Sequence, residues 1–278
     1  MPELPEVETV RLGLMPRLAG RRIVRLTQRR RDLRVPLPAR FAARIEGRMV
    51  TTIDRRAKYM LWRLEDGHTL VVHLGMSGRL LLLNGDASSK PFEDHDHVVF
   101  DIDDGWQIRF NDARRFGLML LLRDDDVATH KLFKPLGPEP LDDAFDGTAL
   151  AARLKGKRTP IKSALLDQHV LVGVGNIYAC EALHIAGISP RRSAHSVTGE
   201  RADRLMVAIK DVLRRSIIDG GSSLRDHVQP DGELGYFQTR FVVYDREGQS
   251  CGRCANGKTV RRIVQSGRST FFCPACQR

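Results

Sequence analysis

The sequence lacks the features that would place a protein in a membrane or outside the cell. No apolar run among its 278 residues approaches the roughly 18–20 that a helix needs to cross a bilayer. The N-terminus is acidic, whereas a signal peptide begins with basic residues followed by an apolar stretch. There is no internal repeat and no low-complexity tract. We therefore expect a soluble, cytoplasmic protein without a membrane partner.

Cysteine is scarce, and its distribution excludes a disulfide framework. Four of the five cysteines fall in the last 28 residues, as Cys251-Gly-Arg-Cys254 and, after eighteen residues, Cys273-Pro-Ala-Cys276. This spacing is typical of a four-thiolate zinc site built from two hairpin knuckles. With no open coordination position, the single Zn²⁺ should be structural and should stabilise a segment too small to have a large core. The alternative is two redox or accidental pairs. Cys180, which lies in an apolar helical stretch, is expected to be a buried thiol.

Acidic residues are too few to balance the basic ones. The chain has 45 Lys and Arg against 34 Asp and Glu, a formal net charge of +11. Such a protein attracts polyanions, and no basic amphipathic helix suggests a membrane surface. The charge therefore predicts nucleic acid as the partner but does not indicate a reaction.

The first half of the chain is predicted to be one helix followed by a β-rich domain. Val7, Val10 and Leu14 follow helical spacing, which predicts a helix from about Pro5 to Ala19. Strand-like runs follow up to about residue 122, with Asp66-Gly67 and Asp104-Gly105 as hairpin signals. The runs are MLWRL, TLVVHLG, RLLLL, HVVFDI and WQIRF.

The second half is predicted to be helical. Three prolines in KPLGPEPLDD, residues 134–143, mark a domain boundary. Helices are expected at 144–154, 160–168 with Thr159 as N-cap, 176–186 and 199–219, and short strands surround the cysteines. We expect an α+β protein with a leading helix and a β-sandwich or barrel over about residues 1–133, a helical region over residues 134–240 and a cysteine-rich tail over residues 241–278.

The first six residues, MPELPE, contain a candidate nucleophile. Removal of Met1 would make Pro2 the N-terminus and give it a secondary amine. An α-amino group is unprotonated at neutral pH roughly 300 times more often than a lysine side chain. Condensation with an aldehyde-level carbon would give an iminium, with Glu3 as a neighbouring proton donor. The alternative is that Pro2 merely tolerates the start of the chain and that the glutamates favour the helix N-terminus.

Three polar clusters in the β-rich half have alternative interpretations. Lys58 leads into a strand and could contact a phosphate or a reacting sugar, or could be ordinary surface charge. Met76 lies between two glycines and could be exposed or could fill the core. The segment NDARRFG, with Arg114 and Phe116, has the composition of a wedge that enters a duplex, although salt-bridged surface arginines would look the same.

Other motifs have weaker interpretations. His95 and His97 would point the same way from a strand, but no third metal ligand is evident, so we expect no metal there. The turn Gly173-Val-Gly175-Asn176 opens a helix but lacks the third glycine and the βαβ setting of a nucleotide site. We expect no nucleotide cofactor, and we expect Asn176 to contact a DNA phosphate. The basic residues between the cysteine pairs suit phosphate contact or form a solvated face.

Taken together, the motifs resemble those of bacterial formamidopyrimidine-DNA glycosylases, which remove 8-oxoguanine and ring-opened purines from DNA. The resemblance extends from Pro2 to Gln277. It implies a catalytic β-sandwich domain over residues 1–133, a helical DNA-binding domain with a helix–two-turn–helix element over residues 134–240 and a zinc finger over residues 241–278. It also implies a monomeric bacterial protein associated with the nucleoid through DNA. The motifs occur in the family's order as MPELPEVETV, RRAKYM, HLGMSG, HDHV, NDARRFG, LGPEPL, VGVGNIYACEAL, GYF and GRSTFFCPACQ.

The resemblance also implies roles for individual residues. Pro2 matches the Schiff-base nucleophile, Glu3 the proton donor, Lys58 the lysine of β-elimination and Arg268 the arginine of δ-elimination. The segment from Gly220 to Tyr236 matches a mobile loop that covers the extruded base. The spacing between the cysteine pairs is two residues longer than is usual in the family. The matched DNA-binding residues are His95, Arg114, Lys157 and Asn176, with Met76, Arg114 and Phe116 filling the gap left by the flipped nucleotide.

The favoured hypothesis is a base-excision-repair DNA glycosylase with AP lyase activity on double-stranded DNA that contains oxidised purines. One alternative is a zinc-finger DNA-binding protein without activity, indifferent to removal of Met1. Another keeps the chemistry but shifts the substrate towards oxidised pyrimidines, as in the related endonuclease VIII branch.

Overall fold

A computed structural model of the chain describes residues 2–84, 90–223, 227–254 and 257–278. It divides into two compact units: residues 1–134 with 219–236, and residues 135–218 with 237–278. The segment Asp219–Tyr236 therefore belongs with the N-terminal half. The division into domains 1–133, 134–240 and 241–278 remains a prediction. No helix in the described ranges is suited to crossing a membrane.

The first unit is built on an antiparallel sheet of eight strands in the order β5-β7-β6-β1-β2-β3-β4-β8. A short helix, α2 (Phe41–Ile45), lies between the first and second strands along the chain, and another, α3 (Asp124–Val127), follows the last strand of the sheet. The strands are β1 (Arg21–Gln28), β2 (Met49–Arg56), β3 (Tyr59–Leu64), β4 (His68–His73), β5 (Arg79–Leu83), β6 (Asp96–Ile102), β7 (Gln107–Asn111) and β8 (Leu118–Arg123).

Strand β1 joins the two halves of this sheet. Its first residues pair with β2 and its later ones, from Ile23, with β6, and an irregularity follows Ile23. Side chains of both halves share one core, in which the rings of Trp62 and Phe100 lie 5.1 Å apart. The predicted β-sandwich is therefore confirmed.

The leading helix α1 (Leu4–Leu18) packs its apolar side into the same core. Val7, Val10, Leu14 and Leu18 are all buried, which fixes the helix against the sandwich. The predicted helix was therefore correct within about one residue at each end.

The second unit is helical, apart from a C-terminal hairpin. It contains α4 (Gly147–Leu154), α5 (Ile161–Leu165), α6 (Asn176–Ile185), α7 (Glu200–Ile218), β9 (Arg261–Gln265) and β10 (Arg268–Phe272). The expected helix at 160–168 is shorter than predicted. Its N-cap is Pro160 and not Thr159, because the extended backbone of Pro160 supplies the helix entry.

Candidate functional site

Pro2 lies two residues before the first residue of α1, next to the N-cap residue of that helix. Pro2 and Glu3 are buried, and Glu3 is the N-cap residue. The Glu3 N–H donates to Glu6 Oε2 at 2.8 Å, part of a capping box that ties the entry to the first turn. Met1, whose removal the nucleophile hypothesis requires, lies outside the described residues.

Glu6 links this helix to the segment that was predicted to cover an extruded base. Its second oxygen, Oε1, accepts a hydrogen bond from the Ser222 N–H at 2.9 Å. His227 donates from Nε2 to the Gly220 carbonyl at 3.1 Å, and burial lowers the His227 pKa although Glu6 opposes the shift. One buried carboxylate thus bonds both the helix entry and this segment. The sequence analysis did not single out Glu6.

The predicted covering segment makes a second contact with the first unit, at Pro230. The Leu82 N–H donates to the Pro230 carbonyl at 2.7 Å, and a side chain at Gly13 would collide with the Pro230 ring. Residues 224–226, within the predicted covering loop, lie outside the described residues.

Lys58 stands at the start of β3 after a tight turn. Ala57, the preceding residue, has a left-handed backbone with φ of 56°. Burial, assisted by the positive charges of Lys58 and Arg34, lowers the pKa of His73 to about 4. The His73 Nδ1 accepts a hydrogen bond from the Gly75 N–H at 3.0 Å. Lys58 therefore follows a constrained turn and lies close to the neutral imidazole of His73.

The predicted wedge residues occupy two adjoining loops. Met76 is half-buried on one, while Arg114 and Phe116 are exposed on the other, with the Arg114 guanidinium 4.9 Å from the centre of the Phe116 ring. A Cβ at Gly75 would meet the Phe116 backbone at 2.3 Å, so the two backbones touch. The structure thus brings these three residues together.

A buried aspartate, Asp112, holds these loops in place. Its Oδ1 accepts from the Ser77 hydroxyl at 2.6 Å and its Oδ2 from the Gly117 N–H at 2.7 Å. The Ser77 hydroxyl oxygen accepts in turn from the Arg114 N–H at 3.2 Å. Arg115 fits the surface-arginine interpretation, since it pairs with Asp32 at 3.3 Å.

His95 is exposed just before β6, on a loop held by a buried ion pair. Arg109 pairs with Asp96 at 3.2 Å and donates to the carbonyls of Lys90 and Pro91. His97, in contrast, is buried and hydrogen-bonds the Asp112 carbonyl at 2.9 Å. The rings of His95 and His97 lie 6.2 Å apart, the first exposed and the second buried.

In the second unit, the predicted phosphate ligand Asn176 meets the hairpin that carries Arg268, the predicted arginine of δ-elimination. Asn176, the first residue of α6, donates from Nδ2 to the Ser269 carbonyl at 2.9 Å, beside the exposed Arg268. The buried Lys162 donates to the same carbonyl at 3.3 Å. Within the described part of the chain the Asn176 Oδ1 has no hydrogen-bond partner. Lys157 lies elsewhere, paired with Asp167 at 3.3 Å.

The four cysteines of the tail converge on one point. Their sulfur atoms all lie within 4.8 Å of one another, with Cys251–Cys276 at 3.8 Å and Cys254–Cys273 at 3.6 Å. Tetrahedral coordination with bonds of about 2.3 Å requires sulfur separations of roughly 3.8 Å, so the cluster fits a zinc ion. Although burial opposes the shift, the backbone N–H groups of Cys276 and Ala275 lower the pKa of Cys273 to about 7. Among the described residues this is the one candidate metal cluster. Ala255 and Asn256, at the start of the lengthened knuckle, lie outside the described residues.

Residues of helix α6 contact the chain on both sides of the first cysteine pair. The Glu181 carboxylate accepts hydrogen bonds from the N–H groups of residues 242, 243 and 244, where the chain enters the hairpin region. Arg253 donates to the carbonyls of His184 and Ile185 at the helix C-terminus. Cys180 is buried with Val243, Val260 and Phe271, as expected for a structural thiol. The sequence analysis did not predict these docking contacts, because they join positions 60–70 residues apart.

A sandwich unit with a proline at its second residue, before a capped helix, and a helical unit with a four-cysteine hairpin define a DNA glycosylase of the helix–two-turn–helix class. Family models agree. One described as the formamidopyrimidine-DNA glycosylase N-terminal domain matches residues 1–119, and another, the formamidopyrimidine-DNA glycosylase H2TH domain, matches residues 136–228.

Relatives and solved structures extend this match over the whole chain. Proteins named formamidopyrimidine-DNA glycosylase from Beijerinckia indica and Rhodospirillum centenum are 54% and 55% identical, with full coverage of both chains. The crystal structure of MutM (Fpg) from Thermus thermophilus is 43% identical, covers 99% of this chain and 98% of its own, and has a TM-score of 0.85. A Lactococcus lactis Fpg mutant bound to THF-containing DNA is 34% identical, with full coverage and a TM-score of 0.89. The chain belongs to the formamidopyrimidine-DNA glycosylase family, as the motifs predicted.

Proposed function

We propose that this protein excises oxidised purines, 8-oxoguanine and formamidopyrimidines, from duplex DNA and then cleaves the resulting abasic site. The observation that carries the proposal is the full-length family match combined with Pro2 at the entry of a helix locked by the Glu3–Glu6 capping box. A nucleophile on such a base has few orientations to search, which favours reaction with a bound sugar.

In the proposed reaction the lesion leaves the base stack, which costs a few kcal/mol, before the amine reaches its sugar. The neutral Pro2 amine attacks the anomeric carbon, the base departs and an iminium forms, while Glu3 supplies a proton that helps to open the sugar. Removal of a proton from the neighbouring sugar carbon then expels the 3′ phosphate and afterwards the 5′ phosphate. Lys58 serves the first elimination and Arg268 the second.

The DNA-binding roles are assigned to the exposed and half-buried residues of the two units. Met76, Arg114 and Phe116 would occupy the space left by the extruded nucleotide, since they share one rigid pair of loops. His95, Lys157 and Asn176 would contact the phosphate backbone, and the net charge of +11 would attract it over a longer range. This affinity would associate the protein with the nucleoid.

One structural zinc ion is assigned to Cys251, Cys254, Cys273 and Cys276. The ion would complete a closed tetrahedron and hold the β9–β10 hairpin that carries Arg268. It supplies no chemistry to the reaction, because four thiolates leave no coordination position for a substrate or a water molecule.

The test is incision of a duplex that contains 8-oxoguanine opposite cytosine, with borohydride present in a parallel reaction. We expect a strand break and a reduced covalent adduct that peptide mapping places on Pro2. An adduct mapped to a lysine would refute the mechanism. Pro2→Gly, which leaves a primary amine, should impair the lyase step, so wild-type rates would argue against a role for the proline ring.

A variant with one residue added before Pro2 is the matched control, because it blocks the amine and retains the DNA-binding residues. It should bind the duplex without forming an adduct. If the unextended protein behaves in the same way, the chain is a DNA-binding protein without activity. A panel of single-lesion duplexes separates purine from pyrimidine substrates, and faster release of an oxidised pyrimidine would contradict the proposed specificity.

A further inference from the structure

A histidine ring lies against the cysteine cluster without being one of the four ligands. His184, on the last turn of α6, is 3% exposed. Its Nε2 lies 3.4 Å from Cys251 Sγ and 3.7 Å from Cys276 Sγ. A ring nitrogen at these distances can share one N–H between two sulfur atoms.

The backbone of the same residue is also fixed to the cluster. Arg253, which lies between Cys251 and Cys254, donates to the His184 carbonyl at 2.9 Å. The first knuckle therefore holds this residue by its main chain as well as by its ring.

Hydrogen-bond donors are needed around the four sulfur atoms to stabilise their negative charge. A Zn²⁺ ion with four thiolates has a net charge of −2, and Cys251 and Cys273 are both buried. Cys273 has the backbone N–H groups of Ala275 and Cys276 as donors. His184 provides the corresponding hydrogen bond on the Cys251–Cys276 edge.

We propose that His184 is a positioning residue of the metal site, donating one shared hydrogen bond to the sulfur atoms of Cys251 and Cys276 and thereby slowing the loss of zinc. The inference rests on the zinc site proposed above. Groups that hydrogen-bond metal ligands typically change metal affinity 10- to 100-fold when they are removed. The effect falls on metal retention and not on the chemistry of excision.

The experiment compares the full chain with His184→Phe, which keeps a ring but removes the donor, and with His184→Gln, which restores an N–H near the Nε2 position. Zinc content is measured first by elemental analysis. Zinc transfer to excess chelator is then timed, and the thiolate-to-metal charge-transfer bands of the Co²⁺-substituted proteins are recorded. Cys180→Ala is the control, because it removes packing from the same helix without touching the sulfur atoms of the cluster.

We expect His184→Phe to lose zinc about ten-fold faster or more, with its charge-transfer bands moved to lower energy because the sulfur electrons are less stabilised. His184→Gln should restore most of both properties, and Cys180→Ala should leave the bands unshifted. Unchanged zinc transfer and bands in His184→Phe would overturn the inference while leaving the zinc site intact. Equal zinc loss in both His184 variants with unshifted bands would also overturn it, since the ring would then act by packing. A wild-type protein without one equivalent of zinc would overturn the metal site itself.

Discussion

Replacing Glu181 by glutamine is expected to loosen the chain where it enters the cysteine hairpin. The Glu181 carboxylate is 2% exposed and accepts hydrogen bonds at 3.0, 3.0 and 2.8 Å from the N–H groups of Val242, Val243 and Tyr244. Glutamine has one acceptor oxygen. Placed at the Oε1 position, that oxygen keeps the bonds to Val243 and Tyr244, while the new NH₂ faces the Val242 N–H.

The expected cost follows from these three bonds. A hydrogen bond to a charged group contributes about 1.5–3 kcal/mol and a neutral one about 0.5–1.5 kcal/mol. The variant loses one charged bond, weakens two and leaves one donor unpaired. Burial raises the pKa of Glu181, so removing its charge also removes a desolvation cost. The net local destabilisation should therefore be about 2–3 kcal/mol, equivalent to a roughly 30- to 150-fold change in the opening equilibrium.

Hydrogen exchange at the three backbone amides measures this opening directly. Exchange at residues 242–244 should accelerate by the factor given above in Glu181→Gln. Glu200→Gln is the matched control, because the Glu200 side chain is 96% exposed on α7. Both tryptophans lie in the first unit, so their fluorescence should report unchanged unfolding there. Wild-type exchange rates in Glu181→Gln would show that the three bonds do not hold this segment.

Three further predictions concern other parts of the molecule. Gly75→Ala should lower the melting temperature by several degrees more than Gly67→Ala, because both glycines have positive φ but only Gly75 has backbone within 2.3 Å of an added Cβ; equal losses would contradict the close loop contact. Since burial lowers the His73 pKa to about 4, below its unfolded value of about 6.5, the unfolded chain binds the extra proton in this window. Stability measured by denaturant titration should therefore fall as pH falls from about 6.5 towards 4 and should fall less in His73→Gln; parallel profiles would refute the assignment. Removal of zinc by a chelator should accelerate amide exchange throughout residues 257–278 without changing tryptophan fluorescence, and full protection in the metal-free protein would count against a structural ion.

The sequence predicted the elements whose pattern is regular. Helix α1 and strands β3 to β7 followed from apolar spacing, and both Asp-Gly turns were correctly placed, with Gly67 and Gly105 in the left-handed conformation that such turns require. Strands β1 and β2 were not singled out, because irregular pairing near Ile23 and after Val50 breaks the alternation of buried and exposed residues. Strand β8 was not singled out either, although its apolar run resembles that of β5, which was predicted.

The candidate site was predictable only as a set of residue types. The four cysteines could be grouped from their spacing, and the structure confirms that their sulfur atoms converge. Contacts such as that between Glu6 and Ser222 join positions 216 residues apart, and no local pattern marks them. The same holds for Asp112, whose importance depends on the loop that passes beside it.

Helix α6 fixes the position of the cysteine hairpin by contacting it at two points. It holds the strand that bears Arg268 through Asn176 at one end and the first knuckle through His184 and Arg253 at the other. Asn176 and His184 lie eight residues apart on this helix, which places the attachment points about 12 Å apart. Residues added between the cysteine pairs are therefore expected to leave the position of Arg268 unchanged. We expect that the cysteine hairpin of this protein can be replaced by a hairpin of different length from a relative. The residues that contact α6 must be transferred together with the hairpin.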